Sequence, residues 1–233
     1  MNIKNSKGFT LVEMLVVIAI ISVLAAALFP AISNALSTAS ATALKQKGRG
    51  IWVAITSANM EREPLNEGTL WPQELETSDG ISSSKDYFNY LLSDGDDTGT
   101  PTEDTSLRVV ADLTPDTLIA SGIKAGVVGT ALKDENIAWG VVDVGDGTPA
   151  EIPFLITKNY DSTEKLHQVT DDKDTTRLDL GDDTSKKPFG NSRAVWVSRG
   201  GGTFDARKKY FTMKLVMGLG ESTEEYDYWT TEQ

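Results

Sequence analysis

The sequence predicts an α+β fold, in which one long N-terminal helix, membrane-spanning in its first half, packs on an antiparallel sheet. Three observations carry this. Phe9 to Phe29 is a largely apolar run whose only ionisable residue is Glu13. A helical repeat of apolar residues continues beyond that run and fades near Pro64. Strand-like runs then follow without the regular strand–helix alternation of a parallel sheet.

Four segments follow in order: 1–8 as a short charged leader, 9–29 as the membrane segment, 30–63 as an amphipathic continuation of the helix, and 64–233 as an acidic globular head. The leader holds Lys4 and Lys7, positive charge that favours retention on the cytoplasmic side. Phe9–Phe29, about 20 residues, is long enough to cross a hydrocarbon core of about 30 Å as a helix. Ordinary secretory signals place the apolar stretch before the cleavage site and lose it. Here the charged, glycine-bearing step Lys7-Gly8 precedes the apolar stretch, so cleavage at that step leaves the stretch in the mature chain. Gly8 has no side chain, which lets a narrow protease cleft approach its backbone.

Glu13 is the anomaly of the run. A carboxylate inside a membrane helix is costly unless it finds a partner, and it marks a functional position. The α-amine that cleavage creates at Phe9 is one such partner, mostly cationic at neutral pH.

KGFTLVEMLVVIAII (7–21) resembles the class III signal of type IV pilins and type II secretion pseudopilins. The resemblance covers about the first tenth of the chain. It implies that a membrane-embedded prepilin peptidase cuts Gly8-Phe9 and methylates Phe9, and that Glu13 pairs with the methylated amine of a neighbouring subunit. It also implies a pilin-like fold and a single-pass protein of the inner membrane, with its N-terminus cytoplasmic and its head periplasmic. The implied partners are further copies of the chain, other pilin-like subunits and an inner-membrane assembly platform, together building a periplasmic or surface filament. Segments around a proline such as Pro30 extend in related filaments when subunits assemble.

Beyond the membrane run, Ile32, Leu36, Ala39, Ala43, Leu44, Lys47, Ile51 and Ile55 recur at three- and four-residue steps, the spacing of one helix face. The continuous helix from Phe9 to about Arg62 spans roughly 80 Å at about 1.5 Å per residue. Pro30 removes a backbone donor inside it, so a kink is expected there. Gly48 and Gly50 are poor helix residues; close packing against a sheet and a hinge both account for them. Glu63, before Pro64, is biased out of the helix.

In the head, Trp71 to Leu75 reads as the start of a loop, and Asp86–Leu92 as a short helix with aromatic anchors. The segments 93–106 and 170–187 read as polar loops. Strand-like runs are Leu107–Val110, Ile137–Val144, Ile152–Lys158, Arg193–Arg199 and Tyr210–Val216. Gly200, Gly201 and Gly202 supply a hairpin turn between the last two.

Charge is uneven. Of the chain's 22 Lys and Arg and 34 Asp and Glu, residues 1–62 hold six Lys and Arg against two Glu, a net +4. The remainder holds 16 against 32, a net −16. An acidic head argues against nucleic acid and against an anionic membrane surface as its partner. There is no cysteine, which rules out thiol catalysis, Cys-ligated metals and the C-terminal disulfide loop of many type IV pilins. That absence leans toward the pseudopilins, whose major subunit uses a bound calcium ion in place of the disulfide.

Asp94-Gly95-Asp96-Asp97 places carboxylates and a glycine as in the first half of a calcium loop. Asp94, Asp96 and Asp97 are therefore candidate metal ligands, although Thr105 stands where a closing glutamate is needed. His167 is the single histidine and no nucleophile-elbow, Walker or zincin motif surrounds it. Trp71, Trp139 and Trp196 lie in apolar or strand-like contexts and read as core. Trp52 reads as facing the sheet or a neighbouring subunit. The expectation is a structural subunit and not an enzyme, in a pseudopilus or a type IV pilus. A membrane-anchored binding module that does not polymerise is the competing class.

Overall fold

In the computed structural model the helix α1 (Leu11–Arg62) accounts for 52 residues in one element. The structure describes residues 10–95, 100–119, 131–161, 165–181, 188–220, 222 and 224–229. The chain divides into two units, Met1–Ala39 and Ser40–Gln233, and α1 contributes to both. In the first unit the described residues are helical from Leu11 onward, through Pro30, and their large apolar side chains are exposed.

In the second unit α1 buries Ala41, Leu44, Gly48, Ile51, Ala54 and Ile55. These steps of three and four form the apolar stripe of a helix lying on a core. The stripe differs from the expected one. Leu44, Ile51 and Ile55 belong to it, but Ala41 and Gly48 take the places given to Ala43 and Lys47. Ala43 is exposed, and Lys47 directs its ammonium to the Asp116 carbonyl at 2.8 Å. Small residues sit where the backbone must come close, so hydrophobicity alone mislocates the stripe.

α1 ends at Arg62 and passes into a 3₁₀ turn, Glu63–Leu65, with Pro64 inside it. Asn66 adopts left-handed backbone, φ 56°, and reverses the chain. The return path is fastened to α1 by Asn59, whose Oδ1 accepts from the Leu70 amide at 2.7 Å. The segment after Trp71 is not a loop but a helix, α2 (Pro72–Asp79). Pro72 occupies its first turn and Gly80, φ 69°, closes it, which is the usual asymmetry of helix ends. Helix α3 (Ser84–Leu92) matches the expected short helix; the Ser83 hydroxyl caps it by accepting from the Asp86 amide at 3.1 Å. Tyr87, Phe88, Leu91 and Leu92 are fully buried.

Leu107–Val110 is not a strand. A 3₁₀ turn covers Thr105–Leu107, capped by Asp104. The Val109 and Val110 amides donate to the Ser93 and Leu91 carbonyls at the end of α3, so this backbone satisfies itself on a helix end. A single turn, α4 (Pro115–Leu118), follows.

The main sheet is antiparallel. Its strands are β1 (Trp139–Val142), β2 (Pro153–Thr157), β4 (Arg193–Ser198), β5 (Thr203–Arg207) and β7 (Tyr228–Trp229), in the order β5-β4-β2-β1-β7. A small second sheet pairs β3 (Leu166–His167) with β6 (Glu225–Tyr226). The glycine triplet does turn a hairpin, but its second arm is β5. The expected strand Tyr210–Val216 is instead a 3₁₀ turn at Lys208–Tyr210 and a helix, α5 (Met213–Met217), which Thr212 caps through the Leu215 amide.

Strand alternation gives the sheet two faces. Trp139 and Val197 face α1, against Gly48. Trp196 lies on the other face, stacked on Phe204 at 5.6 Å and close to Phe211 at 5.9 Å. A register shift between Pro153 and Leu155 inserts Phe154, which meets Trp71 and Tyr87 edge-on. The tryptophans expected in the core, Trp71, Trp139 and Trp196, are all buried. The long N-terminal helix and the five-stranded antiparallel sheet make an α+β, pilin-like arrangement.

Candidate functional site

α1 begins in a capping box. Thr10 precedes the helix, and the Glu13 Oε2 accepts from the Thr10 amide and from the Thr10 hydroxyl, both at 2.8 Å. In return the Glu13 amide donates to Thr10 Oγ1 at 3.3 Å. Two otherwise orphaned donors of the first turn are satisfied by this exchange. A carboxylate at this end also complements the helix dipole. The motif Thr-x-x-Glu before an apolar run is the signal for it. Thr10, which the charge of Glu13 alone does not point to, is its positioning residue.

The geometry fixes where the acid stands. Glu13 reaches back over one helical turn to Thr10, the residue next to Phe9. The helix that carries it is long and apolar enough to cross a membrane. Gly8, Phe9, Lys4 and Lys7 lie outside the described residues.

Residues 3–29 match the prokaryotic N-terminal methylation motif. The match spans Lys4, Lys7, Gly8, Phe9, Glu13 and the apolar run. The chain therefore carries a type IV pilin-like, prepilin-type signal, which supports a pilin-like subunit processed by prepilin peptidase. No curated protein and no solved structure matches the chain.

Away from the prepilin-type signal, the other expected site residues are dispersed. Asp94 is exposed beyond the end of α3, and Asp96 and Asp97 lie outside the described residues. Among the described residues, no three His, Asp or Glu side chains converge where a metal ion could be held. His167 is half-buried on β3, with its Nδ1 at 3.3 Å from the Lys165 carbonyl. Trp52 lies on the sheet side of α1, where its indole Nε1 donates to the Arg199 carbonyl at 2.7 Å.

Proposed function

We propose that this chain is a structural subunit of a type II secretion pseudopilus, cut at Gly8-Phe9, methylated at Phe9 and assembled through α1. The observation that carries the proposal is Glu13. It is the single ionisable residue between Phe9 and Phe29, it lies within the methylation motif, and Thr10 holds its carboxylate at the start of the helix. Cleavage creates a cationic amine one residue before Thr10. In the membrane-stored subunit the capping box keeps Glu13 hydrogen-bonded. On assembly, the amine of a neighbour becomes the charged partner of that carboxylate inside the helical bundle. The charge pair fixes the axial register of one apolar helix against another, which apolar packing alone leaves undetermined.

The leader lysines keep the N-terminus cytoplasmic, and the acidic head stands on the periplasmic side of the inner membrane. There the assembly platform and sibling subunits are its partners. Pro30 gives α1 a position of weakened hydrogen bonding at which the helix adjusts during assembly. The absence of cysteine favours the pseudopilus over the type IV pilus, the alternative on the same signal. The test is subunit crosslinking in membranes that contain processed protein. Glu13→Leu inserts and is cleaved but fails to form ordered multimers, and Glu13→Gln is intermediate. Wild-type multimers from Glu13→Leu would refute the role of Glu13 and favour the anchored, non-polymerising module.

A further inference from the structure

β5 ends the main sheet on one side, and no described strand pairs with its outer edge. Which backbone groups that edge offers follows from the register. The Ser198 amide donates to the Gly202 carbonyl at 2.8 Å, and the Lys208 amide to the Ser192 carbonyl at 2.9 Å. Between these two bonds the pairing runs without a shift, from Val197 opposite Thr203 to Arg193 opposite Arg207. Bonded and unbonded pairs alternate in an antiparallel ladder, so Phe204 and Ala206 bond β4 through their amides and carbonyls. The amides of Thr203, Asp205 and Arg207 and the carbonyls of Thr203 and Asp205 point outward. Such an edge is a template for one more strand.

The two faces beside that edge differ. On the face toward α1, Asp205 meets Lys45 at 2.7 Å, and Thr203 lines a recess with Thr42, Lys45, Gln46 and Arg49. Arg207 alternates onto the same face and is exposed, as is Lys209 just beyond the strand. Asp205 is the one acid of β5, and Lys45 and Arg193 already pair with it. The face is therefore basic, in a chain of net charge −12. On the opposite face Phe204 stacks on Trp196 at 5.6 Å and remains 48% exposed. A strand laid along β5 meets cations on one face and a half-covered aromatic ring on the other. We propose that β5 takes up an extended acidic segment of another protein as a further strand of the sheet. Acids at every second position of that segment face Arg49 and Arg207, and the apolar residues between them cover Phe204. Two β5 edges brought together would oppose like charges, Arg207 and Lys209 on each, so this edge does not suit a second copy of itself. The surface is separate from Glu13 and from assembly through the membrane segment.

Fluorescence anisotropy of a labelled peptide of alternating Glu and Val, added to the full chain in detergent micelles, tests this. The peptide binds, binding weakens as salt is added, and it is lost when Lys replaces each Glu. Hydrogen exchange shows the β5 amides gaining protection when the peptide is bound. Thr203→Pro removes one outward amide while leaving the bonds to β4 in place, and lowers binding severalfold. Arg207→Glu, at an exposed position, lowers it as well and serves alone if Thr203→Pro does not fold. No binding of the Glu peptide, equal binding of the Glu and Lys peptides, or binding without added protection of β5 would overturn the proposal. So would a dimer crosslinked through Arg207→Cys alone, which would make a second copy of the chain the occupant.

Discussion

Gly48 of α1 lies directly against Trp139 of β1. A Cβ at Gly48 would fall 2.8 Å from the indole Cη2 and 2.6 Å from the Val197 Cγ2. The missing side chain is what lets the helix approach the sheet so closely. Gly48→Ala gains about 1 kcal/mol of helix propensity but forces core side chains to move, at a cost of about 1–3 kcal/mol. Gly50 is the control, because a Cβ there meets nothing nearer than the Thr117 Cγ2 at 3.9 Å. Thermal melting is expected to show Gly48→Ala less stable than the wild type and Gly50→Ala more stable. Stabilisation by both would mean that the helix does not rest on the sheet at Gly48.

Two side chains of α1 reach the turn of the β4–β5 hairpin. The Trp52 indole donates to the Arg199 carbonyl at 2.7 Å, and the Arg49 guanidinium donates to the Gly201 carbonyl. Gly201 has φ 80°, and a Cβ there would lie 2.7 Å from the Trp52 ring. Trp52→Phe keeps much of the ring and loses the donor, at a cost of about 1 kcal/mol. Gly201→Val adds both positive-φ strain and a clash, and is expected to cost more. Denaturant midpoints check the order, with Gly201→Val lowest.

Asp205 on β5 accepts from Lys45 of α1 at 2.7 Å and pairs with Arg193 of β4. Burial raises its carboxyl, but Lys45 and Arg193 outweigh that and hold it below the ordinary carboxylate value. The sign follows from the lowered value. The contribution is present above about pH 4 and is lost as pH falls through the depressed folded value. Asp205→Asn is expected to cost about 1–3 kcal/mol at neutral pH and to narrow its gap to the wild type as acid is added. An equal gap at pH 7 and pH 2.5, in melts of the two proteins, would contradict the pairing.

Thr10→Val removes the hydroxyl that donates to Glu13 and accepts from its amide, leaving the Thr10 position's own amide donor in place. Cleavage is expected to survive. Crosslinked multimers are expected to fall below wild type but to stay above Glu13→Leu, because the acid remains and only its positioning is lost. Equal loss in the two variants would make Thr10 as essential as the acid.

The legible parts of the sequence were those set by strong local signals. The apolar run and its Glu13 stand out because one acid interrupts a membrane-length segment. β1, β2 and β4 are apolar because both of their faces are covered, and they read as strands. β5, Thr-Phe-Asp-Ala-Arg, is a half-exposed edge strand, so it lacks that signature, which the more apolar Tyr210–Val216 imitates. Thr212 decides against a strand there, because its hydroxyl caps α5. α2 reads as a loop from the sequence, because the run between Pro72 and Gly80 is too polar to show a helical stripe. The inner stripe of α1 was displaced because Ala41 and Gly48 are buried for their small size. β3, β6 and β7, at two residues each, fall below the length at which alternation has meaning.

The mass of the mature N-terminus tests the central claim most directly. Protein isolated from membranes of cells with an active prepilin peptidase is digested and its N-terminal peptide measured. The account predicts a chain that begins at Phe9 and carries one methyl group on its amine. A chain retaining the leader, with Gly8-Phe9 intact and no methyl group, would contradict it.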